Sequence, residues 1–141
     1  MGLIGSNGIQ PTQQLLEAAA VQDLSWWQFP TFQWFGGDAV LNSTWIIGTV
    51  CAVLLVLGWV PLVSALGCWI TYLSLTTASG VFLQFQWDAL LLECGVLAAL
   101  WAPATVRLNS PSASRPSRLV HWLIVLVLAR LVFFGGLAKL Q

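Results

Sequence analysis

Asp88 and Glu93 stand five residues apart in FLQFQWDALLLECG, residues 82–95, with Gln84, Gln86 and Trp87 beside them. Two carboxylates in an apolar stretch could share a proton, relay one, or hold a substrate. The spacing weighs against a dyad. Five residues on a helix turn through about 140°, so the two acids point to different faces. Arg130 and Lys139 are the basic groups of the last apolar segment, and His121 stands beside Trp122 near its start. No Cys, His or carboxylate is spaced to join His121 in a metal site. The residues therefore indicate no catalytic, cofactor-binding or metal-binding set, and no cofactor is expected.

The elements that must position these groups follow from composition. Of 141 residues, 58% are hydrophobic and 7% charged. A soluble domain carries roughly 25% charged residues. The bilayer is therefore the expected solvent and the first expected partner. Nine tryptophans agree with that, because Trp collects at membrane interfaces. Five basic and five acidic residues leave no basic stripe for nucleic acid. Cys51, Cys68 and Cys94 all lie in apolar runs and read as small buried hydrophobes. The first twenty residues lack the basic and apolar regions of a signal peptide. Met1-Gly2 with Ser6 fits the weak myristoylation pattern only.

The reading is an all-α integral membrane protein, a bundle of about four transmembrane helices behind an N-terminal interfacial arm. The arm covers residues 1–38 and the membrane domain 39–141. In the arm, Gly2, Gly5 and Gly8 suggest a loop. Pro11 opens an amphipathic helix with Leu15, Leu16, Ala19 and Ala20 on one side. SWWQFPTFQWF is too short to span and suits headgroup depth or a plug on the bundle. The helices are expected at about 40–59, 61–78, 83–102 and 119–139, each near the ~20 residues a bilayer needs. Arg107, Arg115 and Arg118 put the loop before the last helix in the cytoplasm, and both termini outside. The Asn42-Ser43-Thr44 sequon falls at the start of the first span, where it would go unused.

Depth then pairs the charges. At ~1.5 Å per residue, Glu93 lies ~15–18 Å down its helix and Arg130 ~16 Å up the next. Both fall near the middle of a ~30 Å hydrocarbon core. A direct ion pair fixing the two helices is expected, with Asp88 nearer the outer edge and Lys139 within reach of it. A proton relay or substrate site is the alternative. Gly95, Ala99 and Ala102 lie near the Asp88 face, and Gly135 and Gly136 mark the last helix. These small residues would let helices approach closely.

The motifs also resemble a known family. FLQFQWDALLLECGVLAALWAP, with Phe85, Gln86, Trp87, Asp88, Glu93 and Gly95, is similar to the signature of the lipase maturation factors. GLIGSNGIQP and ARLVFFGGLAKL resemble two further blocks, with Arg130, Phe133, Gly136 and Lys139 in place and Gly135 where Ser is usual. The resemblance implies a multi-pass membrane protein that helps dimeric lipases fold and assemble. It implies the endoplasmic reticulum in a eukaryote and the inner (plasma) membrane in a bacterium. Client lipases or other membrane subunits would be the partners. Family members carry a helix before GLIG and a long polar region after KL, so the chain is expected to match about the first third of a member. The acids become parts of a membrane scaffold. Two other readings stand beside it: a membrane enzyme or transporter core using Asp88, Glu93 and Arg130, and a small accessory subunit of a larger complex.

Overall fold

The computed structural model describes residues 4–9, 11–107 and 117–139. The described residues are helical, without strands: α1 (Thr12–Val21), α2 (Asp38–Val56), α3 (Pro61–Ala78), α4 (Gln86–Trp101) and α5 (Arg118–Leu137). Short 3₁₀ turns lie at Phe32–Phe35 and Gly80–Leu83. Three helices, α2, α3 and α5, are long and apolar enough to cross a membrane. α4 begins at Gln86 rather than near 83, because Gly80–Leu83 coils separately and Gly80 takes a left-handed φ of 52°. It is left with 16 residues, about 24 Å of rise. The expectations for Arg115 and Met1-Gly2 lie outside the described residues.

The helices form an antiparallel row. α3 is its centre, packed most extensively on α2 and α4, while α5 lies against α4. Small residues set the close approaches. A Cβ at Gly67 would lie 2.5 Å from Cys51 Sγ, and one at Gly48 3.0 Å from Thr71 Oγ1. Hydroxyls inside these apolar helices return to their own backbone. Thr44, Thr49 and Thr71 donate to the carbonyls of Val40, Trp45 and Gly67, at 2.7–2.9 Å. Internal satisfaction of this kind is what a medium without water requires. Asn42 lies within α2, so the sequon is helical.

The α2–α3 turn explains how the row folds back. Gly58 (φ 70°) and Val60 (φ 44°) are both left-handed, and Pro61 starts α3. A left-handed β-branched residue is strained and must be held from outside. Val60 N–H donates to Val106 O at 2.8 Å, and Arg107 lies over the Trp59 ring at 6.0 Å. The arginine-bearing connection is thus anchored to the α2–α3 turn.

The N-terminal arm is seated on the opposite end of the row. Its buried contacts are made by small polar groups. Thr31 Oγ1 donates to Ser74 O at 3.2 Å, and Phe32 N–H donates to Ser74 Oγ at 2.9 Å. Thr31 and Gln33 are 1% and 3% exposed, whereas Trp27 is 87% exposed. On α1, Thr12 and Ala19 are buried, but Ala20 is exposed. The loop before α1 closes on α2: Ser6 donates from N–H and Oγ to the two Asp38 carboxylate oxygens, at 2.9 and 2.6 Å. Asp38 is in the first turn of α2, where a negative charge suits the helix dipole.

Candidate functional site

α4 carries most of the residues singled out above, and its local sequence explains its start. Phe85 is extended and precedes the first helical turn. Asp88, three residues on, accepts from Phe85 N–H at 3.2 Å. This is one half of a capping box; Phe85 has no side-chain acceptor to supply the other half. The second Asp88 oxygen accepts from Tyr72 Oη at 2.6 Å. Asp88 is only 6% exposed, so cap and helix–helix contact are one buried group.

Of the two courses open to Lys139, toward Asp88 or out to water, the structure shows the second. Asp88 faces α3, its partner is Tyr72, and Lys139 lies exposed beyond the end of α5. Sequence reasoning missed Tyr72, although a signal existed. It is the sole tyrosine of the chain, set in an apolar span, and a buried phenol needs a partner. The same face of α4 holds Gly95, where a Cβ would stand 3.0 Å from the Trp69 ring. Trp69 Nε1 donates to Leu92 O at 3.0 Å. Ala99 is buried below it.

Glu93 faces the other way, as the 140° argument requires. Arg130 of α5 donates to its carboxylate, and this is the ion pair among the described residues. Their side chains are 40% and 48% exposed. The pair joins α4 to the membrane-length α5, so its exposed surface faces hydrocarbon or another protein surface. Gln86 and Trp87 point outward at the arm end, with Trp87 stacked on Phe85 at 4.9 Å. His121 lies beside the Trp101 ring at 6.3 Å. A Cβ added at Gly135 or Gly136 would meet nothing within 4 Å, so the close approach expected there is absent among the described residues.

Two apolar hollows flank α4. One, of about 380 Å³, lies over α2, α3 and α4 and includes Trp45, Trp69 and Leu91. The other, of about 580 Å³, lies between α4 and α5 and includes Cys94, Trp101 and Leu128. Among the described residues no three His, Cys, Asp or Glu side chains cluster as metal ligands do. In the arm cleft, Gln33 Nε2 is buried without a partner among the described residues.

What this arrangement belongs to is decided by comparison. The family model for the lipase maturation factor transmembrane domain matches residues 1–141. The chain belongs to the lipase maturation factor family. It is similar to Lipase maturation factor 2 of Gallus gallus, 35% identical over 99% of this chain and 21% of that protein. It is likewise similar to Lipase maturation factor 2 of Homo sapiens, 36% identical over 99% of this chain and 22% of that protein. No solved structure matches. The chain thus spans about a fifth of its relatives' length, less than the expected third. Family membership and the membrane-length helices make this an integral membrane protein.

Proposed function

We propose that this chain is the membrane scaffold of a folding and assembly factor for lipases. It would act in the endoplasmic reticulum of a eukaryote or the inner membrane of a bacterium. The observation that carries the reading is the family match across residues 1–141, with relatives named as lipase maturation factors. The geometry of α4 supports it. Asp88 is committed to a helix cap and Tyr72, and Glu93 to Arg130. Both acids hold helices together, which favours a scaffold over a membrane enzyme or transporter core. Residues 1–38 are assigned to an extracytoplasmic arm and 39–141 to the membrane bundle, with Gln86, Trp87 and Lys139 as outward-facing motif residues.

A chimera tests the function. The matching region of a vertebrate relative is replaced by this chain, in cells lacking their own factor, and secreted active lipase is measured. Restored activity is expected; inactive lipase from a stably expressed chimera removes the reading. Single cysteines at Ser6 and Ser112, labelled with an impermeant reagent, test the orientation. Labelling of the Ser112 position from outside alone would invert it.

A further inference from the structure

The hollow between α4 and α5 has a defined shape and one charged mouth. It runs from Leu90 to Trp101 along α4, about 16 Å by helical rise, faced by Ile124, Leu128 and Leu131 of α5. The Glu93–Arg130 pair stands near its inner end, between Leu90 and Cys94 on α4 and beside Leu131 on α5. Half of a ~30 Å hydrocarbon core is about 15 Å, so the groove has the depth of one leaflet. Its walls are apolar throughout.

At the mouth end lie two arginines and a histidine, one from the connection after α4 and two from the first turn of α5. Arg107 is carried over Trp59, beside Pro61, which lines the groove. Arg118 opens α5, and His121 follows one turn later against Trp101, another lining residue. No acid opposes them there: the five acids of the chain are Glu17, Asp23, Asp38, Asp88 and Glu93, and Glu93 is at the far end. A mouth of one sign on an apolar slot one leaflet deep is complementary to an amphiphile with a negative head.

We infer that this groove holds one acyl chain of an anionic membrane phospholipid, with its phosphate at Arg107, Arg118 and His121. A transmembrane helix fits less well. A helix has no obligatory anionic head to meet that mouth, whereas an anionic phospholipid has one. The inference needs only that the chain is membrane-embedded and does not depend on lipase maturation.

The test uses the purified full chain in detergent with photoreactive phosphatidylglycerol and phosphatidylcholine carrying the same diazirine-labelled acyl chain. Phosphatidylglycerol is expected to label residues 90–103 and 124–131 preferentially. Arg107→Gln with Arg118→Gln should lower that labelling roughly 30-fold, toward the phosphatidylcholine level. Leu128→Trp should lower labelling by both lipids, since it fills the slot from an exposed helix. If the double arginine variant does not fold, wild type at 1 M salt, where screening acts within ~3 Å, should lose its preference for the anionic lipid. Equal labelling by both lipids at low salt overturns the inference. So does labelling that maps to α2 and α3, or a groove-to-groove cross-link between two chains, which would make a second copy the occupant.

Discussion

α4 has two neighbours and is held by them in different ways. Against α3 it presents a short buried acid, a glycine and an alanine, and the contacts are hydrogen bonds from Tyr72 and Trp69 with a ring against Gly95. Against α5 it presents Glu93 on a long side chain, above a groove of about 580 Å³. The membrane-length window of α3 is 44% buried, and that of α5 is 6% buried. Where hydrocarbon surrounds both helices, apolar area supplies little reason for them to meet. Small residues and polar groups decide docking, and α3 has many facing α4 while α5 has one charge there, Arg130. α4 is therefore packed on one side and tethered on the other.

The sharpest way to break the contrast is at Asp88. Asp88→Ala removes a cap, worth about 1 kcal/mol, and leaves the Tyr72 hydroxyl unpaired at about 1–3 kcal/mol more. A loss near 3 kcal/mol is expected in detergent unfolding. Tyr72→Phe should cost only part of it, because the cap survives. A neutral Asp88→Ala would mean that α3 and α4 are held otherwise.

Next comes the tether. Arg130→Leu leaves Glu93 alone against hydrocarbon and should cost about 2–3 kcal/mol. Glu93→Gln with Arg130→Leu should cost less than the sum of the singles. The double-mutant cycle on folded yield reads the coupling, and simple additivity would mean no interaction.

Glycines separate the two sides at a smaller scale. Gly67→Ala drives a Cβ to 2.5 Å from Cys51 Sγ, so about 1–2 kcal/mol of strain is expected. Cys51→Ala in the same chain should relieve most of it. Gly136→Ala meets nothing within 4 Å and should instead stabilise α5 by about 0.5–1 kcal/mol through helix propensity. Thermal melts of the three variants order these effects. A destabilising Gly136→Ala would show that α5 packs as closely as α3.

Apolar run length made the helices legible, and charge depth made the Glu93–Arg130 pair legible, because both follow from a bilayer's thickness. The start of α4 was not, since Phe82, Leu83 and Phe85 continue its apolar run N-terminally and only the Asp88 bond to Phe85 N–H marks the boundary. Tyr72, Ser74 and Asp38 were hidden for another reason. Each has its partner well along the chain, and spacing does not say which residue that partner is. The aromatic arm was only partly legible. Its rings drew attention, while Thr31 and Gln33 make the buried contact.

That contact has a consequence for biogenesis. Thr31 docks on Ser74, 43 residues later. During synthesis the arm emerges first yet has nowhere to dock until the end of α3 has been made. The α2–α3 turn closes over a few residues and carries a small loop-closure cost, whereas the arm must wait for a long-range closure. Docking of the arm is therefore a late event that reports completion of the central hairpin.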